Sequence, residues 1–232
     1  MRFGVDEAGK GPVFGSMWAA AVVVPDESID PETAVPEGVD DSKRLSPAKR
    51  EELAAVIRED DRLRIGVAEI TPERIDDPET DMNTLTVAAH AEALDDAGVG
   101  ASELGGEDSI GGEHCLSGVV DAGDTSEERF ARRVREFAAG DLSVHAEHGA
   151  DETYPIVAAA SIVAKVERDA QMARLAEEYG DVGSGYPSDP TTREFLESYV
   201  ADHGAVPPFA RESWSTCRDV LAANEQSGLG DF

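Results

Sequence analysis

Two apolar, β-branched runs near the amino terminus, residues 2–6 and 13–24, constrain this chain more than any other feature. Between them Glu7-Ala8-Gly9-Lys10-Gly11-Pro12 is a glycine-punctuated turn, so the chain starts as strand, turn and second strand. Residues 25–41 are acidic and interrupted by Pro25, Pro31 and Pro36, the composition of a surface loop. Ser46-Pro47 opens a helix to about Arg58, with Ser46 as N-cap, Pro47 at the first helical position, and Glu51 and Glu52 in the early turns. A strand over 63–70 and a helix over 84–95 follow, the latter with Leu85, Ala88, Ala89 and Leu94 near one face. Residues 98–113 are rich in Gly, Ser and acid and carry no periodicity. Next come a strand over 116–120 that ends at Asp121, a helix over 126–139 and a strand over 142–145. A long Ala-rich helix spans 156–179, and short helices over 191–200 and 213–223 close the chain. Strands that give way to alternating helices and strands predict an α/β fold, a mixed sheet with helical cover.

Acidic residues number 49 against 20 basic ones, a formal charge of −29. Self-repulsion at such a charge opposes compaction, and salt relieves it, the Debye length shrinking to about 3 Å at 1 M. The acid is spread along the whole chain. Acidic mimics of nucleic acid and histone-binding proteins carry theirs in blocks, so the charge reads instead as the solvating surface of a protein from a salt-rich cytoplasm. A hydrophobic share of 41% is enough for a packed core. The longest apolar run, Met17 to Val24, falls short of the roughly 20 residues that span a bilayer. Asp6 and Glu7 break the first apolar stretch before it can serve as a secretory signal. The only cysteines, Cys115 and Cys217, argue against a disulfide framework or structural zinc.

Four carboxylates stand out. Asp6 and Glu7 end the first strand, Asp121 ends another, and Asp151 opens the segment before the long helix. Neighbours in a strand point to opposite faces, so Asp6 and Glu7 serve one site only if the backbone twists, which Gly9 and Gly11 allow. Carboxylates gathered at strand ends repel one another unless a divalent cation neutralises them, and an all-oxygen set favours Mg²⁺ or Mn²⁺. On spacing alone, this reading and that of four solvated or capping acids stand about level. His148 lies three residues before Asp151, where it could tune a water; His90 and His203 read as helix-face residues. Gly9-Lys10-Gly11 lacks the Gly-x-x-x-x-Gly-Lys-Ser/Thr spacing of a nucleotide-binding P-loop.

Six ordered segments resemble the ribonuclease HII family, most closely its archaeal members. They are Val5-Asp6-Glu7-Ala8-Gly9-Lys10-Gly11-Pro12-Val13, Asp41-Ser42-Lys43-Arg44-Leu45-Ser46, Val120-Asp121-Ala122, His148-Gly149-Ala150-Asp151, residues 158–166, and Gly183-Ser184-Gly185-Tyr186-Pro187-Ser188-Asp189. The resemblance implies an RNase H-like mixed five-stranded sheet flanked by helices, with a small C-terminal helical extension. It implies a catalytic domain over 1–180, the extension over 181–225 and a flexible tail over 226–232. It also implies an endoribonuclease that cuts the RNA strand of RNA/DNA hybrids and 5′ of ribonucleotides embedded in duplex DNA; composition leads us to expect it in the cytoplasm, and we expect a monomer. Asp6, Glu7, Asp121 and Asp151 become its catalytic, metal-holding tetrad, with Asp124 as the rival to Asp121.

In such a site two Mn²⁺ or Mg²⁺ ions roughly 3.5–4 Å apart generate the nucleophile and stabilise the leaving oxygen, leaving 3′-hydroxyl and 5′-phosphate ends. Gly9 and Gly11 let backbone groups approach a ribose 2′-hydroxyl, and Tyr186 adds its hydroxyl and ring. Lys10, Lys43, Arg44 and Lys165 form the basic patch that an acidic protein needs to hold a polyanion, and Arg168 stands between joining them and a surface i, i+4 pair. Two positions depart from the family pattern: Lys10 replaces Arg, losing its planar fork, and Gly149 stands where Lys is expected. At the carboxyl end, Gln226, Leu229 and Phe232 recur every third residue, so a 3₁₀ turn would align them. That spacing resembles the peptide by which replication enzymes dock on the sliding clamp, without its final aromatic.

Overall fold

The structure, a computed structural model, describes residues 2–39, 45–100 and 116–229. Lys43, Arg44, Phe232 and most of the 98–113 segment lie outside the described residues. The chain divides into two units, one of Met1–Ala8, Trp18–Glu69 and Met82–Glu167, the other of Gly9–Met17, Ile70–Asp81 and Arg168–Phe232. This differs from the single cut near residue 180 suggested by the sequence, because two early stretches join the C-terminal helices.

The first unit holds a five-stranded sheet in the order β3-β2-β1-β4-β5. Its strands are β1 (Phe3–Ala8), β2 (Met17–Val23), β3 (Arg64–Ile70), β4 (Leu116–Asp121) and β5 (Leu142–Glu147). β1 pairs antiparallel with β2 and parallel with β4, which pairs parallel with β5, so the sheet is mixed as expected. The apolar runs fill it on both faces: Phe3, Val5, Ala19 to Val23, Val119 and Val120 are all buried.

Helices cover both faces. Besides the short α1 (Pro31–Ala34), α2 (Pro47–Glu59) begins where Ser46 Oγ accepts from the Lys49 N–H at 3.3 Å, with Pro47 free of any need to donate. α4 (Met82–Asp96) packs against β1 and against α5 (Glu127–Phe137), which is capped by Ser126. α6 (Ala150–Thr153) lies at the end of β4, and α7 (Pro155–Tyr179) starts directly after it. Gly4 sets the approach of α7 to β1. A Cβ on Gly4 would stand 2.6 Å from the Ile156 carbonyl carbon and the Val157 nitrogen, so only glycine lets the helix sit so close.

The second unit contains α3 (Pro72–Ile75), α8 (Pro190–His203) and α9 (Ser215–Leu229). Its core gathers Val13, Phe14, Met172, Val182, Leu196, Val200, Phe209, Ala210 and Cys217. Phe14 meets Phe195 and Phe209 edge-on at 5.8 and 5.2 Å, and its backbone bridges Ala210. Residues 13–16 are therefore not the start of a strand over 13–24. Val13 and Phe14 are apolar because they fill a second core.

Two further expectations change. Residues 98–100 close α4 in a hydrogen-bonded turn, with Val99 buried and its N–H on the Leu94 carbonyl at 3.0 Å, so order extends into the segment expected to lack it. α9 runs to Leu229, which makes 226–229 α-helical, neither a 3₁₀ turn nor a loose tail. Leu221-Ala222-Ala223-Asn224-Glu225-Gln226 contains no helix breaker to stop it at 223. Among the described residues, no helix is long and apolar enough to cross a membrane.

Candidate active site

β1 and β4 run parallel, with Val5 opposite Val120, so Asp6 and Asp121 follow in register at the carboxyl ends of two central strands. In open α/β sheets that edge is where ligands bind. Alternation keeps Asp6 on the Gly4 face with α7, and Glu7 on the opposite face with α4. β1 stays regular and paired to Ala8, so the left-handed turn at Gly9, φ 87°, comes after both acids and does not bring them to one face. The two charges nonetheless act on each other across the strand end.

The electrostatics join all four acids. Asp6 is buried, and burial, then the Glu7 charge, then the Asp121 charge hold its pKa well above the ordinary carboxylate value. Lys165 and a Ser161 hydroxyl bond oppose that rise from α7, and Lys165 Nζ itself donates to Ser161 Oγ. Burial also raises Asp121, with the Glu7 and Asp151 charges adding to it, against the Ala150 N–H that donates to Asp121 Oδ1 at 3.0 Å. Asp151 sits buried on α6, delivered by Gly149, whose φ of 69° is left-handed. A lysine there would be strained in this left-handed conformation.

Such a set of carboxylates, all oxygen and with Asp6 and Asp121 raised by burial and neighbouring charge, fits a hard divalent cation chemically. Among the described residues, no three or more acidic, imidazole or thiol groups are already drawn around one point as ligands. Local donors engage them instead: the Glu7 N–H on Asp6 at 2.7 Å, Ala150 on Asp121, and His90 on Glu7.

Asp124, the rival to Asp121, is differently engaged. Arg129 grips it with two bonds of 2.8 and 2.5 Å and holds its pKa far below the carboxylate range. His148 bonds the Asp124 carbonyl at 2.8 Å and Glu127 at 2.7 Å, which raises the imidazole pKa. Its bonds are thus to the α5 region and not to Asp151.

Within the second unit, the expected substrate residues Gly9, Lys10 and Gly11 form a loop anchored by Arg211. That guanidinium, wholly buried, donates to the carbonyls of Gly9 at 2.5 Å, Lys10 at 2.9 Å and Gly15 at 2.9 Å. Trp214 stacks 5.0 Å from Arg211 and donates to the Gly11 carbonyl at 3.3 Å. Gly11 and Tyr186 are neighbours: a Cβ on Gly11 would lie 3.7 Å from Tyr186 Cε1. Tyr186 is 40% exposed, and Arg168 lies 5.0 Å over its ring while donating to the Ser184 carbonyl. Arg168 is thus no i, i+4 surface pair; it braces the Tyr186 turn. Gln226 is exposed near the end of α9.

Sequence reasoning missed His90, Arg211 and Trp214. His90 is wholly buried and bonded to Glu7, which corrects its reading as a helix-face residue. Its helix is buried almost all round, a state that periodicity registers poorly. For Arg211 no signal was available, since arginine is seldom buried.

A family model described as ribonuclease HII matches residues 3–217. A relative from the halophile Haloarcula marismortui, named ribonuclease HII, is 59% identical over 232 residues that cover all of both chains. The ribonuclease H2 of Pyrococcus horikoshii superposes with a TM-score of 0.81 at 37% identity, covering 97% of this chain and 98% of that one. A chain of the PCNA:RNase HII complex from Archaeoglobus fulgidus superposes with a TM-score of 0.74 at 40% identity, covering 95% and 96%.

Proposed function

The chain belongs to the ribonuclease HII family and is an enzyme of the ribonuclease H type, and from that premise we propose how it acts. It hydrolyses the RNA strand of RNA/DNA hybrids and cuts 5′ of single ribonucleotides in duplex DNA, leaving 3′-hydroxyl and 5′-phosphate ends. The observation that carries this reading is the register of β1 and β4, which sets Asp6 and Asp121 at the carboxyl ends of neighbouring strands, with the charges of Glu7 and Asp151 acting on Asp121.

Those four side chains would hold two Mn²⁺ or Mg²⁺ ions. Bound there, the ions supply an activated water and neutralise charge on the leaving 3′-oxygen. The remaining roles belong to the chain itself. Lys165, beside Asp6, favours the ionised carboxylate that a cation needs. Gly9 and Gly11, whose carbonyls are fixed by Arg211 and Trp214, bring backbone groups to the ribose 2′-hydroxyl. Tyr186 adds its own hydroxyl and stacks on the sugar, which selects a ribonucleotide over DNA. Lys10, Lys43, Arg44 and Lys165 take the phosphates. The A. fulgidus relative is seen with PCNA, and Gln226, Leu229 and Phe232 are our candidates for a like clamp contact in this chain.

The decisive assay uses a DNA duplex with one embedded ribonucleotide, with and without Mn²⁺ or Mg²⁺. Ion-dependent incision 5′ of the ribonucleotide is expected. Incision that persists in chelator, or cuts equally in all-DNA duplex, would overturn the reading. For the tail, deleting residues 226–232 should spare incision and remove clamp binding in calorimetry.

A further inference from the structure

We infer that His90 is a positioning residue for the metal site, holding the Glu7 carboxylate in place as a neutral hydrogen-bond donor; this rests on the metal-dependent reading above. Glu7 has reason to move. Its charge works against Asp6 and Asp121, each already raised in pKa by burial, so the three carboxylates repel one another. Against that repulsion His90 Nε2 holds Glu7 Oε2 at 2.8 Å.

The surroundings of His90 fix both its place and its tautomer. The side chain is wholly buried on α4, and its ring meets Phe130 edge-on at 5.1 Å and 87°. Thr86, one turn earlier, donates its hydroxyl to the Met82 carbonyl at 2.6 Å. Nδ1 is buried without a hydrogen-bond partner. An imidazolium would place a second N–H at that atom with no acceptor, whereas the neutral Nε2–H tautomer leaves only a lone pair there, the cheaper arrangement. The ring therefore donates from Nε2 to Glu7.

The backbone closes the other side. A Cβ on Gly123 would lie 3.4 Å from Glu7 Oε1 and 2.5 Å from Thr86 Cγ2, so the carboxylate is confined between the imidazole and a glycine that admits no side chain. The choice of histidine has a chemical logic. Arginine or lysine at this position would hold Glu7 but cancel its charge and compete with a divalent ion. A neutral donor orients the carboxylate and leaves its negative charge to the ion, as groups behind metal ligands commonly do.

The test compares His90→Gln, His90→Asn and His90→Phe. Gln can place an N–H near the Nε2 position; Asn is too short to reach Glu7; Phe keeps the ring and its packing on Phe130 but has no donor. Mn²⁺ affinity is read by calorimetry on the metal-free protein, together with its melting temperature and the Mn²⁺ dependence of incision. Wild-type protein that binds no Mn²⁺ would overturn the metal-dependent reading and this inference with it. With wild-type binding established, His90→Asn and His90→Phe should bind Mn²⁺ about 10–100-fold more weakly, with His90→Gln close to wild type. Extra Mn²⁺ should restore much of their incision, while KM for the hybrid stays unchanged. Phe that binds Mn²⁺ as tightly as wild type, or three variants equally weakened, would show that His90 only fills the core. Should Phe fail to fold, the Gln and Asn pair decides alone, since both are polar and differ only in reach.

Discussion

Replacing Arg211 by Met tests whether the Gly9–Gly11 loop is held by a guanidinium fork. Met keeps an unbranched stem in the second core but withdraws every donor. The Gly9 and Gly15 carbonyls, both buried, then lose their partner, whereas the Lys10 carbonyl is partly open to water. Two unsatisfied buried acceptors cost about 2–6 kcal/mol, and the lost stacking on Trp214 adds about 0.5–2 kcal/mol. Against this, burial pushes the arginine pKa from 12.5 down to about 10, so keeping it charged already costs about 3 kcal/mol that Met recovers. The balance is a loss of about 2 kcal/mol. For a chain of this length that lowers Tm by about 4–8 °C. Calorimetric melting at fixed KCl measures it, with affinity for a hybrid duplex as the functional readout. Arg211→Lys sharpens the test: it retains the buried charge but lacks the planar fork, so it should be no more stable than Met. A lysine variant with wild-type Tm, or a Met variant unchanged in both Tm and affinity, would refute the reasoning.

Asp6 and Asp121 have raised pKa values, so the folded metal-free protein holds their protons to higher pH than the unfolded chain does. Their penalty is absent below about 3.8, the ordinary aspartate value, and full above the raised folded values; metal-free protein should therefore gain stability as pH falls through that window, and Asp6→Asn should flatten the gain in pH-dependent melting. Tyr186→Phe should weaken incision at a single ribonucleotide more than binding to all-DNA duplex, because only the hydroxyl is lost; equal losses would contradict its role. With a formal charge of −29, Tm should rise with KCl into the molar range while KM also rises through counterion release, and a Tm that falls with added KCl would sink the halophilic reading.

What could be read from the sequence follows from how locally each feature is encoded. The order of strands and helices was legible because alternation, the Ser46-Pro47 cap and the alanine-rich run of α7 each act within a few residues. The four carboxylates stood out through their places at two strand ends and one helix start and through the family's ordered motifs. Val13 and Phe14 misled because hydrophobicity reports burial and not the core in which a side chain is buried; Phe14 belongs with Phe195 and Phe209. His90 and Arg211 were hidden for a related reason. Each acquires its role from a partner far along the chain, Glu7 at a separation of 83 residues and Gly9 at 202. No local pattern carries such a pairing.

The central claim, that the acids at the carboxyl ends of β1 and β4 perform metal-dependent incision, is tested most directly by comparing Asp121→Asn with Asp124→Asn. Both remove one carboxylate charge from the same turn, yet only Asp121 is coupled to Glu7 and Asp151, whereas Asp124 is gripped by Arg129. The assay is Mn²⁺-dependent incision of a duplex with one embedded ribonucleotide, with Mn²⁺ affinity measured in parallel. The account predicts that Asp121→Asn loses incision by about 100-fold or more, with weakened Mn²⁺ binding, while Asp124→Asn melts earlier but still cuts. Wild-type turnover in Asp121→Asn, with incision lost in Asp124→Asn, would contradict it.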